Sequence, residues 1–112
     1  AEREHERVLE LTDDPEAWLS AALLRAELAL RRGALDEAAR ALAGIDRARL
    51  GPRGLVHAIL DALVAQRRGH LTDVQRERVA ALHDTSGYTP EQLDGWLAEL
   101  GVGKRERAAL GL

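Results

Sequence analysis

The chain has no cysteine, no methionine and no phenylalanine, and its aromatic residues are two tryptophans and one tyrosine. Without cysteine there is no disulfide framework, no thiol nucleophile and no thiolate metal site. Valine and isoleucine are scarce, six and two residues against twenty leucines and twenty alanines. No stretch alternates apolar and polar residues over the length of a strand, so a β fold is excluded. Uninterrupted hydrophobic runs are also missing. Arg25, Glu27 and Asp61 break the longest ones well short of a membrane span. The N-terminus lacks the pattern of a secretory signal. Lysine occurs once, as Lys104, and the net charge of −3 argues against a general binder of nucleic acid or anionic membrane.

What remains is a helix former's alphabet. Leucine and alanine favour helix strongly, and 46% of the residues are apolar against 31% charged. The expectation is an all-α fold of antiparallel helical hairpins, five to seven helices in one domain across the 112 residues. Fifteen of the sixteen basic residues are arginine, which together with the alanine, leucine and glycine content points to a GC-rich bacterial coding sequence and a cytoplasmic protein. The chain starts at Ala1 inside a helical pattern, as a piece of a longer protein would.

In chain order, residues 2–11 place Val8, Leu9 and Leu11 on one side of a short amphipathic helix. Asp14 and Pro15 read as an N-cap and first turn for a helix over 15–32. Between Trp18 and Leu30 only Ser20, Arg25 and Glu27 are polar, and Gly33 stands at the position that closes a helix. A third helix over 35–43, reaching toward 48, puts Leu35, Ala38, Ala39, Leu42 and Ile45 on one face. Gly44, Gly51, Pro52 and Gly54 mark a connector. The fourth helix, about 53–68, has only His57 and Asp61 as polar residues between Leu55 and Ala65, and Gly69 closes it. Thr72 with Gln75 predicts a capping box for a helix over 72–83. Thr89-Pro90-Glu91-Gln92 starts a helix over 90–100 with Leu93, Trp96, Leu97 and Leu100 on one face, and 104–110 can form one or two turns. The units are a leading helix (1–11), hairpin one (15–50), hairpin two (52–84) and C-terminal helices (89–112).

The two hairpins repeat at 36 residues. Leu19, Ala22, Leu24, Ala26, Ala29, the Arg31-Arg32-Gly33 triplet, Leu35 and Arg40 fall on Leu55, Ala58, Leu60, Ala62, Ala65, Arg67-Arg68-Gly69, Leu71 and Arg76. On these residues, and best over Leu19–Ile45, the chain resembles the tetratricopeptide-repeat family. The resemblance covers about residues 15–83, departs from the family's period of about 34 residues, and lacks its large aromatics. A third copy after residue 90 is fainter, with Gly103 at the turn and Arg105 where Leu35 and Leu71 predict an apolar residue. The resemblance implies helix contacts at Ala26 with Ala38 and at Ala62 with Val74. It also implies a partner-binding groove. Its lining would be Ser20, Leu23, Leu24, Glu27, Leu30 and Arg31 from the first hairpin, and Val56, Ile59, Leu60, Leu63, Gln66 and Arg67 from the second. Leu23, Leu24, Glu27, Leu30, Arg31, Ile59, Leu60, Leu63 and Arg67 are the residues expected to make contact. Helices this apolar must be covered on more than one side. The cover is the C-terminal helices of the same chain, a second copy forming a homodimer, or a foreign protein segment.

Four other features carry a chemical reading. Arg31, Arg32, Arg67 and Arg68 stack along one edge and could clamp carboxylates or phosphates, or simply complement the helix C-termini. Arg25 and Asp61 occupy equivalent positions and could pair across hairpins. His57 and Asp61 have metal-ligand spacing, but no third ligand accompanies them, since His5, His70 and His83 are scattered; no metal and no cofactor are expected. The only serines, Ser20 and Ser86, lie in no nucleophile motif, and the glycines mark helix ends singly, so the chain reads as non-enzymatic. An alternative is a DNA-associated module with a helix-turn-helix-like C-terminal part that uses Lys104, Arg105 and Arg107. Against it, residues 71–112 hold five basic and seven acidic residues.

Overall fold

The computed structural model describes residues 15–85 and 87–112, so the expected leading helix and the Asp14 cap lie outside the described residues. Six α-helices follow one another: α1 (Pro15–Arg31), α2 (Leu35–Ala43), α3 (Gly54–Arg67), α4 (Asp73–Thr85), α5 (Pro90–Glu99) and α6 (Lys104–Leu110). Two 3₁₀ turns, Arg47–Arg49 and Gly51–Arg53, fill the connector between α2 and α3, and no strand occurs among the described residues. The third expected helix therefore stops at Ala43; Asp46 caps the turn that follows by accepting from the Ala48 N–H at 3.0 Å.

Each hairpin is made by one device used twice. At the end of α1, Gly33 adopts φ +76°, its N–H donates to Leu30 O at 3.1 Å, and the Ala34 N–H reaches back to Ala29 O at 2.9 Å. At the end of α3, Gly69 adopts φ +77°, with Gly69 N–H to Gln66 O at 3.0 Å and His70 N–H to Ala65 O at 2.8 Å. This is the Schellman arrangement, which satisfies helix-end carbonyls and turns the chain through a left-handed residue. The same pattern closes α5 at Gly101 (φ +74°), not at Gly103, which instead precedes α6 with φ −85°. The faint third hairpin thus turns two residues earlier than its spacing predicts, and its second helix is only seven residues long.

The helix starts follow local chemistry. Thr72 and Gln75 form the expected capping box at α4: the Gln75 N–H donates to Thr72 Oγ1 at 3.2 Å and the Thr72 N–H donates to Gln75 Oε1 at 3.0 Å. Thr89 and Gln92 repeat it at α5. Each box satisfies two donors that the first helical turn leaves unpaired.

The core is continuous. α1 packs on α2, α4 on α3, both α1 and α2 on α3, and α6 on α3 and α4. Leu30, Ile59, Leu60, Leu63, Leu97 and Leu110 are fully buried, each contributing about 1.5–3 kcal/mol of transfer free energy. Ala26 and Ala38 are buried at the first hairpin's contact, as the repeat implies. In the second, Ala62 is buried but Val74 is 74% exposed. There α4 turns Val79 inward, with Leu71 and Leu82 half-buried, so its inner face is rotated by about one residue relative to α2.

Glycine substitutions separate backbone strain from packing, because a Cβ at Gly33, Gly69 or Gly95 meets no atom within 4 Å. Gly33→Ala and Gly69→Ala should each lose about 1–2 kcal/mol, since only their left-handed backbone opposes a side chain. Gly95→Ala, inside α5, should gain up to about 1 kcal/mol. Chemical denaturation followed by circular dichroism checks both signs.

Candidate functional site

The expected groove is filled by the chain itself. Among its proposed contact residues, Leu23, Leu30, Ile59, Leu60 and Leu63 are core residues and offer no surface to a partner in this arrangement. The physical reason is the need for cover on the apolar α1 and α3, which α5 and α6 supply through Leu93, Leu97, Leu100 and Leu110. The three polar residues of the expected contact set tie this cover down. Trp96 Nε1 donates to Glu27 Oε1 at 3.2 Å. Arg31 lies between Glu27 on its own helix (3.1 Å) and Glu99 on α5 (3.5 Å). Arg67 forms a two-pronged pair with Glu106 on α6, Nε to Oε2 at 2.9 Å and Nη2 to Oε1 at 3.3 Å, and its Nη1 also reaches Leu30 O at 3.5 Å. Gln66, a fourth groove position, keeps a buried Oε1 with no donor.

The arginine edge is paired within the chain, least closely at Arg68. Arg32 Nη2 donates to Glu37 at 2.6 Å and Arg68 lies 3.6 Å from Asp36, so all four arginines of the supposed clamp face carboxylates of this chain. Arg25 and Asp61 do not pair with each other. Arg25 lies 4.0 Å from Glu37, and Asp61 accepts from Gln75 Nε2 at 3.2 Å with Arg47 at 4.0 Å. On α6, Arg107 holds Asp94 at 2.5 Å while Lys104 and Arg105 are exposed.

One groove residue is different. Leu24 is 53% exposed, and with Leu28 (45%) and Trp18 (37%) it leaves an apolar face of α1 open. Its repeat counterparts are interior: Leu60, the equivalent of Leu24, has no exposure, and Val64, the equivalent of Leu28, has 5%. α3 lies within the stack against α1, α2, α4 and α6, whereas among the described helices α1 forms its edge. Beside the C-terminal cover, Leu55, Val56, Tyr88, Gln92, Leu93 and Trp96 border an open apolar pocket of about 270 Å³.

His57 is the buried polar residue of the core. Its Nε2 donates to Leu42 O at 3.3 Å, and Arg78 Nη1 lies 3.0 Å from Nδ1. A guanidinium only donates, so Nδ1 accepts and the ring is the neutral Nε2–H tautomer. Both ring nitrogens are engaged, which leaves no lone pair for a metal shared with Asp61. Among the described residues no group of three or more His, Asp or Glu side chains could hold an ion, and no helix is long and apolar enough to cross a membrane.

Comparison with protein-family models, with curated proteins and with solved structures finds no significant match.

Burial holds the His57 pKa below its ordinary 6.5, and Arg78 and Arg47 add to this against the opposing pull of the Leu42 carbonyl and Asp61. The unfolded chain therefore takes up a proton before the native one does. Stability should be full above about pH 6.5 and fall as the pH drops through that value toward the native pKa. His57→Gln should flatten this slope in thermal melts across pH 5 to 7.5, an interval of about one unit or more on each side of the ordinary histidine pKa. In a double-mutant cycle, Arg67→Ala and Glu106→Ala should show a coupling of about 1–2 kcal/mol, because the pair is two-pronged and partly buried.

Proposed function

We propose that the protein is a non-enzymatic contact module of tetratricopeptide-like hairpins that associates with a second copy of itself through the outer face of α1. The carrying observation is the exposure of Leu24 and Leu28 at positions whose repeat equivalents, Leu60 and Val64, are buried. A face that the repeat seals at its second occurrence is left open at its first, and a helix laid along it would restore the same packing. Contiguous exposed apolar surface of this kind characterises interaction sites.

A second α1 fits the face. Two-fold symmetry makes the contact self-complementary, with each residue of one copy matched by its mirror position on the other. An antiparallel pair centred on Leu24 sets Leu24 against its own copy and Leu28 against Ser20. The small side chains at Ala17, Ser20 and Ala21 allow close approach of the two helices. The hydrogen-bonded Glu27 and the Glu27–Arg31–Glu99 ion pairs rim one side of the patch, giving a polar margin around an apolar centre.

Light scattering after size-exclusion chromatography, over a dilution series, tests this. The expected result is a dimer whose mass falls toward the monomer on dilution. Leu24→Glu with Leu28→Glu should give a folded monomer at every concentration, since both side chains are already exposed. A wild-type monomer throughout, or a dimer indifferent to both substitutions, would overturn the reading.

A further inference from the structure

The second hairpin departs from the first at positions that converge on one place. One repeat after Ala21, Arg25, Ala34, Ala39 and Leu42 stand His57, Asp61, His70, Gln75 and Arg78. Asp61, His70, Gln75 and Arg78 line a single pocket of about 350 Å³ formed by α2, the connector, α3 and α4, and His57 lies directly behind Arg78. Arg47 and Arg68 complete its cationic wall, and Ala39, Val64, Ala65 and Val74 give it an apolar side. A repeat is a local template, and a cluster of departures that meet in space marks a site rather than drift.

Arg78 is the central departure. It takes the place of the core residue Leu42, is half-buried, and donates to His57 Nδ1 at 3.0 Å. Among the described residues no carboxylate forms an ion pair with it. Burying a guanidinium without a counter-charge is unfavourable, and a neutral imidazole compensates only in part. The strain shows in its acidity: burial first, then Arg47, pulls the Arg78 pKa below its ordinary value. Asp61 pulls the other way but relieves it only in part, because it forms no ion pair with Arg78: its Oδ2 is taken by Gln75 and faces Arg47. Arg68 has only Asp36, a strongly exposed carboxylate, at 3.6 Å. Three guanidiniums therefore surround a cavity that contains one carboxylate.

We propose that this pocket binds the phosphate group of a small phosphate monoester, with Arg47, Arg68 and Arg78 as its ligands. Guanidinium forks match tetrahedral oxyanions, and a dianion supplies the counter-charge that Arg78 lacks. The apolar side, Val64 and Val74 in particular, takes the carbon part of the ester. Asp61, which accepts from Gln75 and lies 4.0 Å from Arg47, is the one carboxylate lining the pocket and opposes anion entry. A nucleic-acid strand is a poor occupant, because it needs cations spread along a surface rather than gathered in a cavity.

The inference is independent of the α1 contact, since none of Trp18, Leu24 and Leu28 lines this pocket. Titration of the full chain with inorganic phosphate and with glycerol 2-phosphate, followed by ¹H–¹⁵N NMR, tests it. Saturable shifts at Arg47, Arg68, Gln75 and Arg78, tighter for the ester than for phosphate, are expected. Arg78→Gln should weaken binding about tenfold, the loss of one charged hydrogen bond. Arg47→Gln with Arg68→Gln should do at least as much, and these exposed positions keep the test valid if Arg78→Gln fails to fold. Asp61→Asn, which removes the one negative charge, should tighten it. Non-saturable shifts, the same shifts with chloride at matched ionic strength, or binding unchanged by these substitutions would overturn the proposal.

Discussion

Between Leu55 and Ala65, α3 carries only two polar side chains; nine of the helix's 14 residues are buried and the other five are half-buried. A helix apolar on all sides has no face to give to water, so it must be wrapped. The rest of the structure is arranged by that demand. α1 and α2 cover it from one hairpin, α4 from its own, and α6 from the C-terminal end. Polar ties at the margins fix α6, α5 and α4: Arg67 with Glu106, Trp96 with Glu27, Gln75 with Asp61. These polar ties are modest individually. Their role is to select one arrangement of covers that burial alone would leave loosely specified.

The parts of the fold legible in the sequence are those set by local chemistry. Gly33 and Gly69 end helices because only glycine takes the left-handed turn without cost, and Thr72–Gln75 and Thr89–Gln92 start helices because their side chains satisfy the first amides. The repeat and the need for a cover on α1 and α3 were legible for the same reason, since they follow from periodicity. The source of the cover was not. Periodicity says that Leu60 and Leu24 lie on an apolar face, but not which of them has a neighbour. The same limit explains Val74. A one-residue rotation of α4 exposes it and brings Val79 inward, with Arg78 against His57 and Gln75 against Asp61.

The two hairpins are alike enough that their differences can be weighed. In the first, Leu24 and Leu28 are open where Leu60 and Val64 are closed. That leaves about half of the roughly 1.5–3 kcal/mol of transfer free energy per side chain unrealised. In the second, the half-buried Arg78 stands one repeat after the core residue Leu42, partly desolvated and without an ion pair among the described residues, while Val79 takes the inward place beside it. A domain of this size is stable by only about 5–15 kcal/mol. An unrealised amount of about one or two kcal/mol at the α1 face is therefore a noticeable fraction of the whole.

Neither departure is corrected within the described chain, and they differ in sign. An apolar residue at an open edge is satisfied by more apolar surface, and a half-buried guanidinium by an anion. The fold is thus complete in its centre and incomplete at two places of opposite chemistry, one on α1 and one between α2 and α4. The connection between them runs through α3, which packs against α1 on one side and holds His57 and Asp61 toward the arginine pocket on the other.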